Sequence, residues 1–229
     1  MEGERFAEQK NLLRGCVLLN DLKEHQIQNL LELFHEETWP KNTCILNSEK
    51  LFFHFFIILS GRVKMYQVEK NGDKEVTLFL LTQNDAFDLF CLIDGCKHHV
   101  YYECLDEVKV LAAPMEKLRL WLNSHPVVYK NLLTYTGRHL RLLENFVTDI
   151  SFKDIPTRLI KLLLRNINST SNLHLINDLS NKEIAYLIGS TGAVINRHLQ
   201  ILKKNGSIKT SRNSLEVKDL KFLQHLLKP

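Results

Sequence analysis

In one short stretch of the chain, residues 179–208, the apolar residues at helical spacing leave six side chains pointing outward that can hydrogen-bond to bases or pair with phosphates, and none of the six is acidic. They are Ser190, Thr191, Asn196, Arg197, Gln200 and Lys203. Amide, hydroxyl and guanidinium groups read base edges in the DNA major groove, and cations suit the phosphate backbone. A helix that presents these side chains together would therefore recognise DNA.

The apolar residues of the same stretch predict two helices joined by a tight turn. Ser180 or Asn181 can cap the first helix, and Gly189 can end it because glycine enters the left-handed conformation cheaply. Two short alternating segments at 208–210 and 215–217 then predict a hairpin. The pattern predicts a winged helix-turn-helix, with a plain helical hairpin as the alternative. The apolar face of the second helix comprises Val194, Ile195, Leu199 and Leu202.

Arg197 is the strongest candidate for a guanine contact, which is worth about 1–3 kcal/mol of discrimination between bases. Thr191 and Asn196 are the next candidates for base contacts. The cations around the helices more plausibly meet phosphates, which position a protein without specifying sequence. These cations are Lys182, Lys203, Lys209 and Arg212.

The charge of the 229-residue chain is unevenly divided. From Phe152 onward there are 13 Lys or Arg and 5 Asp or Glu, a formal charge of +8; the rest holds 17 and 21, which gives −4. This asymmetry is typical of a protein in which one half meets nucleic acid. The longest apolar run, 51–59, is too short for a bilayer, and the polar N-terminus predicts no signal peptide. We expect a cytoplasmic protein that is not an enzyme and has no membrane partner.

Residues 43–112 predict a small antiparallel barrel or jelly roll. Short β-branched and aromatic segments are separated by polar turns, including Gly61 and the hairpin signal Asn71-Gly72. The predicted strands are 44–46, 52–59, 63–68, 76–81 and 108–112. Helical patterns flank them: residues 5–37, with a helix capped by Asp21 and stopped at Trp39-Pro40, and residues 115–123.

A long helix follows, with apolar residues that recur at spacings of three and four. This period predicts a seam between two chains, formed by Leu132, Tyr135, His139, Leu142 and Phe146. The alternative is packing against the strand domain of the same chain, for which Leu133, Leu140 and Leu143 would be used. A homodimer also fits operators with two half-sites. Asp154 then caps a helix with Pro156 in its first turn, and 173–176 predicts a short strand.

The order of these elements resembles the Crp/Fnr family of bacterial transcription regulators. The resemblance rests on FIILSGRVKMY, FKDIPTRLIKLLL and LSNKEIAYLIGSTGAVINRHLQIL. It implies an α+β fold with an N-terminal antiparallel β-roll of the jelly-roll, cyclic-nucleotide-binding type, a long dimerisation helix and a C-terminal winged helix-turn-helix. The predicted domains are 1–123, 124–151 and 152–229. The implied partners are double-stranded DNA, a second copy of the chain, RNA polymerase, and a small-molecule or redox effector.

The sequence departs from the family where its members hold cyclic nucleotides. Those members carry a Gly-Glu segment and an Arg-Ser pair; here the segments read NDAFDLF at 84–90 and KHHVYY at 97–102. A buried phosphate without a cation would be poorly compensated, so we predict no response to cyclic nucleotides. In the recognition helix, Gly192 and Ala193 occupy the positions of the family's usual Arg-Glu pair, so its usual operator is not assumed.

The roll contains several residues that could bind or sense an effector. Candidate effector residues are Asp85, Phe87, Asp88, Cys91, Cys96, His98, His99 and Cys104. Their thiols and imidazoles could hold zinc, haem or an iron–sulfur cluster, or sense redox state, but no usual ligand spacing is met, so we expect free thiols and neither metal nor cofactor. The alternatives for the whole chain are an effector-independent regulator and a cupin-like small-molecule binding protein.

Overall fold

The computed structural model describes residues 9, 11, 13, 15–45, 48–70, 74–167, 173–211 and 214–227. The chain forms two compact units. One comprises Met1–Tyr66 and Phe79–Arg141, and the other comprises Gln67–Leu78 and Leu142–Pro229.

The N-terminal elements are mostly strands. A 3₁₀ turn at Val17–Leu19 precedes α1 (Glu24–Leu31), β1 (His35–Trp39), β2 (Cys44–Ile45), α2 (Ser48–Phe53), β3 (His54–Ser60), β4 (Val63–Val68), β5 (Glu75–Leu81), β6 (Ala86–Phe87), α3 (Leu89–Asp94), β7 (Tyr101–Cys104), β8 (Val108–Pro114) and α4 (Met115–Ser124).

The strands form the predicted antiparallel roll from two four-stranded sheets. Their orders are β1-β8-β3-β6 and β2-β7-β4-β5. Strand β3 is buried along Phe55–Leu59, which explains its continuous apolar sequence. Gly61 has a φ of +87° and lies so close to β8 that a Cβ there would sit 2.5 Å from the Glu107 carbonyl oxygen. Only glycine fits this tight connection between β3 and β4.

Several boundaries differ from the sequence predictions. The helix predicted to stop at Trp39-Pro40 is shorter, because α1 ends at Leu31 and β1 begins at His35. Lys23 occupies the N-cap position of α1, and its N–H donates to the Gln26 side chain at 2.9 Å; the predicted cap, Asp21, instead adopts a positive φ of 63°. The short strands β6 and β7 were missed, and 173–176 forms a turn rather than a strand. The Asn71-Gly72 turn lies outside the described residues.

The C-terminal elements are helical except for one hairpin. They are α5 (Val127–Phe152), α6 (Ile155–Arg165), α7 (Asn181–Ile188), α8 (Gly192–Lys204), β9 (Ile208–Ser211), β10 (Ser214–Val217) and α9 (Leu220–His225). The predicted cap of α6 is confirmed, because the Asp154 carboxylate accepts the Thr157 N–H at 3.0 Å. Strands β9 and β10 pair antiparallel, so α7, α8 and this hairpin form the predicted winged helix-turn-helix.

Candidate functional site

Local hydrogen bonds fix the first helix of the helix-turn-helix. The Ser180 hydroxyl accepts the Glu183 N–H at 3.2 Å, and the Glu183 carboxylate accepts the Ser180 N–H at 2.6 Å, which forms a capping box. Gly189 ends α7 with a φ of +65°, as predicted. Arg158 of α6 donates to the Ile188 carbonyl at 2.6 Å and thereby places a cation at the negative end of α7. The turn that leads into α8 is therefore fixed by the Gly189 backbone conformation and by the Arg158 hydrogen bond.

The buried apolar face of helix α8 determines which of its side chains point to solvent. Thr191 caps it by accepting the Val194 N–H at 3.5 Å, and Ile195, Leu199 and Leu202 lie in the core. The opposite face is exposed and carries no acidic residue. Its side chains are Ala193, Asn196, Arg197, Gln200, Ile201, Lys203 and Lys204.

Most of the predicted DNA-binding residues share this exposed surface. Asn196, Arg197, Gln200 and Lys203 lie on α8, while Lys182 of α7 and Lys209 of β9 are also exposed. A cleft of about 420 Å³ runs from the start of α7 past Asn196 and Gln200 to Thr210 and Ser214 of the hairpin. Its walls are mainly uncharged polar groups, but the described lining residues also include Asp178 and Glu183 and no lysine or arginine, so the phosphate-binding cations lie outside this cleft.

Three of the predicted DNA-binding residues are not counted in this exposed set, each for a different reason. The Ser190 hydroxyl is buried and has no hydrogen-bond partner among the described residues, so its predicted outward orientation is wrong. Thr191 is exposed, but its oxygen serves as the cap of α8. Arg212 lies outside the described residues. The sequence prediction missed Ile201 and Lys204, which lie on the exposed face of α8. The apolar positions predicted to be buried on the opposite face were the signal that could have found them.

The long helix α5 carries two interleaved sets of residues, and the set that faces its own chain includes part of the predicted dimer seam. Leu132 and Tyr135 of the predicted dimer seam are only 3% exposed and pack in the core of their own chain. The Tyr135 hydroxyl accepts the Ala86 N–H at 2.8 Å and donates to the Ala86 carbonyl at 3.0 Å. These residues cannot reach a second chain. His139 is also turned inward, with its ring 4.7 Å from that of Phe79.

The remaining residues of the predicted seam do not form a continuous exposed line. Phe146 is half-buried and lies beside Arg158 and Leu187. Asp149, three residues beyond the predicted seam, is buried and forms ion pairs with Lys161 and Arg165 of α6. Leu142 is exposed.

The outward line of α5 lies one residue further along. Leu133, Leu140 and Val147 are 68%, 57% and 55% exposed, and they recur every seven residues. Thr136, Leu143 and Ile150 fill the intermediate positions, so the spacing is again three and four. Large apolar side chains in such a line are the usual seam of paired helices.

The β-roll holds a small cavity of about 40 Å³ next to α5. The Asp88 carboxylate is 2% exposed and lies 3.1 Å from Nδ1 of His98. The described side chains that line the cavity include no lysine or arginine. Besides Asp88 and His98, the walls are largely aromatic: Phe79, Phe87, Phe90, Tyr102, Tyr135 and His139.

Known proteins match the chain in both halves. Residues 36–125 match the family model of the cyclic nucleotide-binding domain, and residues 157–226 match that of the Crp-like helix-turn-helix domain. A CRP-like cAMP-activated global transcriptional regulator from Mycobacterium tuberculosis is 27% identical over 213 residues, 91% of this chain and 95% of its own length. The chain belongs to the Crp/Fnr family. It is a DNA-binding transcription regulator, which argues against the cupin-like alternative.

Two further proteins resemble the chain at 27% and 24% identity. A global nitrogen regulator from Synechocystis is 27% identical over 190 residues, 79% of this chain and 83% of its own. Among solved structures, a CooA mutant from Carboxydothermus hydrogenoformans superposes with a TM-score of 0.72 at 24% identity, covering 92% of this chain and 94% of that one. The predicted fold class is confirmed by this likeness.

Only three of the eight predicted effector residues of this Crp/Fnr protein line the cavity: Phe87, Asp88 and His98. Asp85 instead accepts the Thr82 N–H at 2.9 Å. Cys96 and His99 are exposed, and Cys91 and Cys104 are buried. The predicted set is therefore not one site.

The buried thiols are poorly suited to metal or redox chemistry. Burial raises the pKa of Cys16, Cys91 and Cys104 to about 11, so each stays protonated at neutral pH. Since the thiolate is the reactive and ligating form, burial makes these three thiols less readily activated than exposed ones. Within the part of the chain that the structure describes, no three His, Cys, Asp or Glu side chains are grouped to hold a metal ion, and no helix is long and apolar enough to cross a membrane.

Proposed function

We propose that this Crp/Fnr regulator acts as a homodimer in which each α8 reads one half-site of a two-fold-symmetric operator. The observation that supports this most directly is the exposed face of α8, which carries amides and cations and no acid. The +8 charge from Phe152 onward adds the electrostatic attraction that DNA binding needs.

The dimer is proposed to form along Leu133, Leu140 and Val147 of α5. Leaving three large aliphatic side chains more than half exposed on one helix is costly in water. Pairing two copies of the helix removes this surface from solvent, and the three-four spacing matches the holes of a partner helix. We also propose RNA polymerase as a further partner of the dimer, which is what the resemblance to Crp/Fnr regulators implies.

Within each half-site, Arg197 is proposed to bind a guanine, while Lys182, Lys203 and Lys209 bind phosphates. The test is binding to duplexes selected from a random pool, measured by fluorescence anisotropy at several salt concentrations. We expect a two-fold-symmetric site and a log–log salt slope of about −0.9 for each phosphate neutralised. Affinity that is the same for every sequence would contradict the proposal.

We further propose that the β-roll does not respond to cyclic nucleotides. A phosphate in the cavity would meet the buried Asp88 carboxylate and no lysine or arginine among the described lining residues. An anion placed there would be desolvated without compensation. Calorimetry with cAMP and with cGMP should detect no binding tighter than about 10 µM; tighter binding of either would overturn this part of the proposal.

An effector-independent regulator is a second candidate that one observation favours. The roll cavity of about 40 Å³ is much smaller than a typical small-molecule pocket of roughly 300–1,000 Å³. If full operator affinity is reached by purified, ligand-free protein and no cellular extract changes it, abundance rather than an effector controls this regulator. We expect the absorbance spectrum of fresh protein to lack haem and iron–sulfur bands, because the cysteines and histidines of the roll meet none of the usual ligand spacings.

A further inference from the structure

The leading turn of the recognition helix has no polar side-chain atom. Residues 192–195 read Gly-Ala-Val-Ile, and only Ala193 of these four is exposed. In helix-turn-helix proteins, the N-terminal residues of this helix contact the base edges. Base reading at this end therefore cannot rely on hydrogen bonds from these side chains.

The neighbouring positions do not supply the missing hydrogen bonds. A Cβ at Gly192 would lie 3.5 Å from the Lys182 Cα, so this position faces α7 rather than solvent. The Ser190 hydroxyl is buried, and the Thr191 oxygen caps the helix. Ala193 is thus the outward side chain at the leading end of α8.

Ala193 begins a row that runs up the exposed surface of the helix. Residues four apart are neighbours on a helix face, so Ala193, Arg197 and Ile201 lie in one line. Ile201 is 53% exposed although it is a large aliphatic residue. The row places an apolar group on each side of the guanidinium. The apolar feature that the major groove offers is the C5-methyl group of thymine.

We propose that Ala193 reads a thymine in each half-site by packing its methyl group against the thymine C5-methyl, beside the guanine bound by Arg197. This inference rests on the proposed recognition of DNA by α8. It makes Ala193 a specificity-determining residue, although alanine cannot hydrogen-bond a base.

The test replaces each thymine of the selected operator by uracil, which removes only the C5-methyl group. We expect one thymine per half-site, next to the Arg197-dependent guanine, at which uracil weakens binding about fourfold, the worth of burying one methyl-sized group. Ala193→Gly should bind the thymine and uracil duplexes equally at that position. Its circular dichroism should match that of the wild type.

The outcomes separate this inference from the proposed function. If wild-type protein selects a clear operator but tolerates uracil at every thymine, recognition by α8 stands and the role of Ala193 is overturned. The same holds if Ala193→Gly keeps the uracil sensitivity. If no sequence is selected at all, the proposed function fails, and the inference fails with it.

Discussion

The winged helix and the β-roll place their polar chemistry in opposite ways. In the winged helix, Arg197 and Gln200 stand exposed, and their directions follow from a buried face only a few residues away. In the roll, Asp88 and the Tyr135 hydroxyl are buried and held by groups distant in sequence. Perturbing the first region should change DNA binding with little loss of stability, and perturbing the second should do the reverse.

The largest expected effect comes from a substitution in α5, the helix that connects the β-roll to the winged helix. Leu140→Glu puts a charge into the outward line and should give a monomer whose operator affinity falls at least a hundredfold, because the second half-site is no longer bound by the same molecule. Light scattering and anisotropy measure the two quantities. Leu142→Glu is the matched control, since Leu142 belongs to the seam first predicted from sequence, and it should remain a dimer. The reverse pattern would restore the original seam.

At the DNA end, Arg197→Ala should lower affinity for the selected operator by about 5- to 150-fold, the range of a bidentate guanine contact, and relax the preference at one base pair. Lys209→Ala should instead weaken all sequences alike and reduce the salt slope by about 0.9. Competition with single-base operator variants distinguishes the two. If Arg197→Ala also behaves uniformly, Arg197 contacts only phosphate.

In the roll, Tyr135→Phe should lower the free energy of unfolding by about 1–3 kcal/mol, because the Ala86 N–H and carbonyl both lose their hydroxyl partner in a buried place. Urea denaturation measures this change. Operator affinity of the folded protein at 25 °C should stay within about twofold of the wild type. A stable variant with altered DNA binding would show that this hydroxyl serves regulation instead.

The smallest effect concerns pH. Burial is the main cause that lowers the pKa of His139 from its ordinary value of 6.5. The unfolded chain therefore takes up the proton more readily, so stability present above pH 6.5 is lost as the pH falls towards the folded-state pKa. For His139→Gln, the free energy of unfolding measured by urea denaturation should decrease less between pH 7.5 and pH 5.5 than it does for the wild type. An unchanged pH dependence would remove His139 from this role.

The sequence predicted best where local rules decide the structure. Ser180, Gly189 and Asp154 act at helix ends through neighbours within a few residues, and each was placed correctly. The period of α5 was also right, but its phase was wrong by one residue. Leu132 and Leu133 are chemically identical, and only packing against distant strands decides which one is buried.

The roll was predicted as a class of fold but not in its details. Strands β6 and β7 are only two and four residues long, and unlike the similarly short β9 and β10 they do not pair with a strand that adjoins them through a short turn. The cavity likewise needed the fold, because Phe79 and His139 join Asp88 only through the tertiary arrangement.

The two interleaved sets on α5 also restrict how this helix can change in length. Inserting one residue after Leu140 would turn Leu143, Val147 and Ile150 by about 100° away from the outward line and move them by about 1.5 Å. A deletion would do the same in the other direction. Insertions of about seven residues, two turns, nearly restore the register. Natural relatives and engineered chimaeras of this regulator should therefore differ in the length of this helix by whole heptads or not at all.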